Sequence, residues 1–150
     1  MANTRRTTRV LVAHDAGART FEHKGPGKGL TQLAEVAFED GRRHAGELDA
    51  DRSGRSTDRS GHGHAFESHD NTRQHAVGLF AKQLAHDLAH DFHLGAFDQL
   101  VLIAPPRFLG VLRDALDTKL SRAVIGTVCK DLPRADSDEL CKHLAGLVAV

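Results

Sequence analysis

The stretch Gln99-Leu100-Val101-Leu102-Ile103-Ala104-Pro105-Pro106 decides the fold class. A continuous apolar run of this length is typical of a strand that is buried on both faces of a sheet. Because proline is tolerated in the first turn of a helix, the two prolines predict that the strand ends there and a helix follows. The residues expected on the inner face of this helix are Phe108, Leu109, Leu112 and Leu116. A buried strand followed by a helix indicates an α/β protein.

The segments on either side continue this pattern. Residues 72–93 predict a long helix, because apolar residues recur there at spacings of three and four. Residues 123–128 predict another strand, and after Pro133 a helix capped by Asp136 and Glu139 follows. The apolar stripe of the long helix consists of Val77, Phe80, Leu84, Leu88 and Phe92, and the last helix is expected to pack through Leu140, Cys141, Leu144 and Leu147.

The N-terminal part of the chain predicts antiparallel strands. Residues 8–23 read as a hairpin whose turn lies at 15–17. Residues 30–36 fit either a strand or a short helix, and we favour the strand. Between them, Gly25-Pro26-Gly27-Lys28-Gly29 favours a turn, because it lacks the Gly-Lys-Ser/Thr ending of a phosphate loop. The predicted fold is therefore one α/β domain over residues 1–150, with a mixed β-sheet of about five strands and helices on its faces.

Hydrophobic periodicity disappears between about residues 40 and 70, which predicts a long loop. Loops of this length in compact domains are usually functional or disordered. Its arginines, flanked by glycines, suit phosphate or carboxylate ligands, whereas Asp49, Asp51 and Asp58 favour a solvated loop equally well. The candidate partner-binding residues are Arg52, Ser53, Gly54, Arg55, Arg59, His62 and His64.

Catalytic motifs are not apparent in the sequence. No serine lies in a Gly-x-Ser-x-Gly turn, and neither Cys129 nor Cys141 is next to a histidine. The eleven histidines raise the question of metal, but no zinc motif joins them. On the long helix, His75, His86 and His93 fall opposite the apolar stripe and are expected to be solvated. We predict no catalytic residue, no resident metal and no cofactor.

Composition limits the cellular setting. The chain has 150 residues, 20 basic and 20 acidic, so no global charge attracts it to nucleic acid or to a membrane. Two cysteines are too few for a secreted disulfide framework. The N-terminal apolar run, residues 10–13, is too short for a signal peptide or a membrane span. These features predict a cytoplasmic protein without membrane contact.

Five segments in order along the chain resemble the bacterial host attachment protein family. They are residues 10–19 with Ala16-Gly17-Ala18-Arg19, residues 25–30, residues 51–56 with Asp51-Arg52-Ser53-Gly54-Arg55-Ser56, residues 97–110, and Lys130-Asp131-Leu132. The run Ala104-Pro105-Pro106-Arg107-Phe108-Leu109-Gly110 is the most specific part. That family is similar to the middle domain of archaeal and eukaryotic peptide-release factors, which implies a mixed sheet flanked by helices and a connection to ribosomes.

The resemblance does not imply that this chain is catalytic. In the release-factor domain a Gly-Gly-Gln loop precedes the long helix, whereas this chain reads Ser60-Gly61-His62-Gly63-His64-Ala65-Phe66 there. Our leading hypothesis is a non-catalytic binding module that engages RNA or the ribosome through residues 51–64. The alternatives are a metal-assisted hydrolase that uses the loop histidines with Asp70, and a protein-binding factor in attachment to host cells. The oligomeric state is not predicted.

Overall fold

The structure, a computed structural model, describes residues 6–14, 16–38 and 62–148. For residues 62–70 it describes the backbone alone. The strands are β1 (Thr8–His14), β2 (Gly17–His23), β3 (Thr31–Ala37), β4 (Gln99–Ala104) and β5 (Val124–Cys129). The helices are α1 (His62–His93), α2 (Pro106–Ala115), α3 (Thr118–Ala123) and α4 (Ser137–Leu144).

The five strands form one mixed sheet, as the sequence predicts, and their order in the sheet is β3-β2-β1-β4-β5. Strands β1, β2 and β3 are antiparallel neighbours, whereas β4 is parallel to both β1 and β5. In the centre, Val10 lies opposite Phe21 on one side and Val101 on the other. Strands β1 and β4 are therefore covered on both faces, which is why their sequences are almost continuously apolar.

Helices pack on both faces of the sheet and divide the core in two. On one face, alternate residues such as Leu11 and Leu102 contact α1, α2 and α3. On the other face, Val12 and Ile103 contact α4 and the segment before it. The buried helical residues of the first core are Ala76, Phe80, Ala81, Leu84, Leu88, Phe108, Leu109, Leu112 and Leu120, and those of the second are Leu140 and Leu144. The predicted α/β class is confirmed.

Details of α2, α3 and α4 differ from the sequence prediction. Helix α3 was not predicted, because it is one short segment that buries only Leu120 and Ala123 and lacks the repeated stripe of a longer helix. At the end of α2, Leu116 is only half-buried. In the last helix, Asp136 Oδ1 accepts from the Glu139 backbone N–H at 2.8 Å as predicted, but Leu147 lies after the helix and is 37% exposed.

Helix α1 begins at His62, earlier than the predicted start at residue 72. The part of the predicted loop from residue 62 to residue 70 is therefore helical, and residues 40–61 lie outside the described residues. Hydrophobic periodicity did not signal this extension because the sequence there has no apolar stripe to bury. A helix without a buried face carries no such pattern.

Gly17 fixes the start of β2. A Cβ atom at this position would lie 2.4 Å from the carbonyl oxygen of Val36 on β3, much closer than van der Waals contact allows. Only glycine lets the two backbones approach this closely. Glycine at position 17 therefore permits the start of β2 to pair with the end of β3, where Gly17 lies opposite Ala37.

Candidate functional site

The N-terminal part of α1 extends beyond the sheet. The C-terminal end of the helix lies at the start of β1, where Asp91 contacts Arg9. Farther back along the helix, Phe80 stacks on Phe38, whose backbone N–H donates to Ala16 at the other end of β1. Helix α1 therefore runs antiparallel to β1 and passes the end of the sheet near Phe80.

The solvent exposure of its side chains shows which part of α1 packs on the core. Residues 71–75 are all exposed, and Ala76 is the first residue of the described side chains that is buried. From Ala76 back to His62 the helix continues for fourteen residues, which corresponds to about 21 Å at 1.5 Å per residue. The backbone of α1 is therefore continuous from His62 to His93, and the buried side chains described on it all lie at or after Ala76.

The predicted partner-binding residues fall into two groups. Arg52, Ser53, Gly54, Arg55 and Arg59 lie outside the described residues. His62 and His64 lie in the first turn of α1, where only the backbone is described. The histidines are thus on a helix rather than on the predicted loop, in the N-terminal turn of α1.

The exposed face of α1 carries the histidines expected there. His75, His86, His90 and His93 are all exposed, as is Lys82. His93 Nε2 is 3.8 Å from Asp117 Oδ2 on the neighbouring loop. Within the described part of the chain, no group of three or more histidine, cysteine or acidic side chains is arranged to hold a metal ion.

The glycine-rich segment after β2 is a turn between antiparallel strands. The backbone N–H of Lys28 donates to the Gly25 carbonyl at 3.1 Å, and Gly27 and Gly29 have φ angles of 75° and 64°. A phosphate loop instead leads into the N-terminus of a helix, where free N–H groups converge on the anion. The backbone here leads into β3, so this segment is a strand connection.

One side chain that sequence reasoning missed, Arg19, fixes the segment that precedes the last helix. Arg19 Nη1 donates to the Ala135 carbonyl at 2.7 Å, and its Nη2 donates to the Leu132 carbonyl at 3.2 Å. Its guanidinium also lies 5.3 Å from the ring centre of Phe21. Arg19 thus holds the segment between β5 and α4 against β2. These partners are more than a hundred positions apart, so no local pattern could reveal them.

The groove beside α2 shows no arrangement for covalent catalysis. It encloses about 480 Å³ and is lined by Gly110, Arg113, Asp114, Leu116, Ser121 and Val124. Ser121 is a hydroxyl nucleophile only if a base is next to it, and the lining residues include no histidine. This groove therefore offers no serine–histidine pair.

The two cysteines differ in environment, and we expect them to differ in reactivity. Cys129 is exposed, whereas Cys141 is half-buried on α4, where burial and the Asp138 carboxylate raise the pKa of its thiol. A raised pKa leaves a smaller thiolate fraction at a given pH, and the thiolate is the nucleophile. At pH 7.5, iodoacetamide should modify Cys129 faster than Cys141 in a time course followed by mass spectrometry. Faster modification of Cys141 would contradict this assignment.

Comparison with known proteins identifies a family and a fold. A family model described as "Protein required for attachment to host cells" matches residues 9–144. No curated protein matches the chain. Among solved structures, an archaeal translation termination factor, aRF1, is similar with a TM-score of 0.52 and 10% sequence identity. The similarity covers 93% of this chain and 34% of the termination factor, so the chain spans about a third of that protein.

Proposed function

The chain belongs to the family of proteins required for attachment to host cells, and we propose that it acts as a non-catalytic binding module whose partner is RNA or the ribosome. Residues 51–64 are the proposed contact. The observation that carries this proposal is the part of α1 that precedes Ala76, which is about 21 Å long from Ala76 back to His62. His62 and His64 lie in its first turn, and the three arginines precede that turn by ten residues or fewer in the sequence.

The chemistry of the segment supports a phosphate ligand. Arg52, Arg55 and Arg59 each carry a guanidinium group, which donates two parallel hydrogen bonds to a phosphate. Phe66 is the only aromatic residue between residues 51 and 70, so base stacking contributes little. We therefore propose contact with the phosphate backbone, with little dependence on RNA sequence.

The fold supports a partner in the translation machinery. The similar solved structure is that of a translation termination factor. At 10% identity the likeness concerns the fold, and it offers a precedent for this architecture in a protein that terminates translation. The Gly-Gly-Gln sequence is absent from the chain, so the proposal includes binding and leaves out hydrolysis. Within the described residues, no helix is long and apolar enough to cross a membrane.

Removing the three arginines should weaken binding. We expect the full chain to co-sediment with ribosomes at low salt, and the Arg52→Ala/Arg55→Ala/Arg59→Ala variant to bind at least about tenfold more weakly, because phosphate contacts dominate affinity. The slope of log affinity against log salt should fall by roughly two to three, since each phosphate contact contributes about 0.7–0.9. Binding is measured by pelleting over a series of salt concentrations.

A matched control variant separates the effect of these three arginines from the effect of losing three positive charges. Arg107, Arg113 and Arg134 are exposed and lie on the body of the domain, so their triple alanine variant removes the same charge and should bind almost as the wild type does. Pelleting with purified ribosomal RNA and with RNase-treated lysate distinguishes RNA from protein components. The proposal would be refuted if the wild-type protein were absent from the pellet at low salt. It would also be refuted if the two triple variants lost ribosome binding to the same extent.

A further inference from the structure

The amino-terminal ends of three parallel strands border a cleft of about 310 Å³. Strands β1, β4 and β5 run parallel, so the residues that precede them meet at one end of the sheet although they are far apart in the sequence. A cleft of this volume is large enough for a small ligand or for one group of a larger ligand. The residues that line it are Arg6, Asp98, Gln99, Arg122, Ala123 and Ile125.

Two arginines give this cleft a positive charge. Arg6 and Arg122 are exposed, and neither forms an ion pair with another residue in the described part of the chain. The carboxylate in the lining is that of Asp98, so two positive charges face one negative charge. A cleft lined mainly by one sign of charge concentrates ions of the opposite sign. The charges of the lining therefore favour an anion as the ligand.

Hydrogen bonds within the chain occupy acceptor atoms of the cleft and leave its donors available. Asp98 Oδ2 accepts from the Thr7 backbone N–H at 3.0 Å. Gln99 Oε1 accepts from the Thr8 hydroxyl at 3.2 Å, which orients the amide so that its NH₂ group has no partner among the described residues. The cleft thus offers two guanidinium groups and one amide NH₂ as donors, which suits a ligand that accepts several hydrogen bonds.

An irregularity in the pairing of β4 with β5 shapes one side of the cleft. Leu100 lies opposite Val124 and Val101 lies opposite Gly126, so Ile125 has no partner on β4. An extra residue of this kind bends a strand and redirects its own side chain. Ile125 lines the cleft and is 36% exposed, so it places an apolar wall beside the charged groups. Hydrogen bonds to an anion are stronger beside such a wall than in open water.

We propose that this cleft binds a phosphate group. A guanidinium donates two parallel hydrogen bonds to two phosphate oxygens, and two arginines with one amide approach a tetrahedral anion from more than one side. A planar carboxylate needs only one arginine for the same bidentate contact. The phosphate of a small molecule and that of an RNA backbone present this chemistry equally. The cleft contains none of residues 51–64, so this assignment does not rest on the proposed function.

Titration of the full chain with sodium phosphate, followed by nuclear magnetic resonance at constant ionic strength, tests the assignment. The backbone and side-chain amide signals of Gln99 should shift and saturate. The Arg6→Gln/Arg122→Gln variant should bind inorganic phosphate at least about tenfold more weakly, because it loses the charge-assisted hydrogen bonds. The Arg107→Gln/Arg134→Gln variant removes the same charge from exposed residues outside the cleft. It should keep the dissociation constant within about twofold of the wild-type value, because salt screens distant charges.

A ribonucleoside monophosphate and a short RNA without a terminal phosphate, both followed through the Gln99 signals, identify the source of the phosphate group. Tighter binding of the monophosphate assigns the cleft to a small phosphorylated molecule, and tighter binding of the RNA assigns it to an RNA backbone.

The variant that lacks the arginines at positions 52, 55 and 59 should bind inorganic phosphate as the wild type does, so failure of this assignment is distinct from failure of the proposed function. The assignment is overturned if none of the three probes gives a saturable shift in the wild-type chain. It is also overturned if the shifts map away from Asp98, Gln99 and Ile125, which the wild-type chain reports even if a variant folds poorly. Equal weakening of phosphate binding in the two double variants would overturn it as well.

Discussion

Replacing Phe80 with alanine is expected to lower the free energy of unfolding by about 3–5 kcal/mol. Its side chain is 4% exposed. Its ring centre lies 4.5 Å from that of Phe38, with an interplanar angle of 9°, and 5.9 Å from that of Phe108. The substitution removes a large apolar side chain and two aromatic contacts, and the surrounding α1, α2 and sheet residues can close only part of the cavity.

The adjacent residue provides the control. Leu79 is 52% exposed, so Leu79→Ala should change the free energy of unfolding by less than about 0.5 kcal/mol. Urea denaturation of both variants, followed by circular dichroism, measures the difference. Similar losses for the two variants, or a loss under about 1 kcal/mol for Phe80→Ala, would show that α1 is not anchored at Phe80. Phe80→Ala should also weaken the packing of α1 against the end of the sheet.

The sequence predicted those elements whose residues are buried in a regular pattern. The run Leu100–Ala104 gave β4 correctly, because a strand covered on both faces must be apolar throughout. The stripe through Phe80, Leu84 and Leu88 gave the anchored part of α1, because a helix against a core repeats its apolar residues every three or four positions. Local propensity and tertiary burial agree in both segments.

Elsewhere the decisive interactions are not local. The sequence of residues 62–70 has no apolar stripe, so no periodicity marked His62 and His64 as helical. The carbonyls that Arg19 binds are far away in sequence, and the cleft lined by Arg6 and Arg122 is a property of strand order. The family resemblance implies the same mixed sheet with flanking helices that periodicity predicts. The family model confirms the family, and the fold similarity confirms the architecture.

Replacing Asp91 with alanine should destabilise the protein by about 1–3 kcal/mol, more than replacing Arg9 with methionine. Arg9 Nη1 donates to Asp91 Oδ2 at 2.8 Å, and the Arg9 side chain is 7% exposed, whereas that of Asp91 is 42% exposed. Without Asp91, a buried guanidinium loses its carboxylate partner. Without Arg9, the carboxylate of Asp91 remains accessible to water, so less free energy is lost. The partial exposure of Asp91 keeps the expected loss below that of a fully buried pair.

Methionine at position 9 should be tolerated because it keeps the apolar contacts of the arginine stem. The Arg9 guanidinium carbon lies 4.8 Å from the ring centre of Phe97, and a thioether packs well against an aromatic ring. The substitution also removes Arg9 Nε, a buried donor with no partner among the described residues. Once residue 9 is methionine, Asp91→Ala should cost under about 0.5 kcal/mol, because no buried cation remains. Urea denaturation of both single variants and the double variant measures this coupling, and additive losses would contradict it.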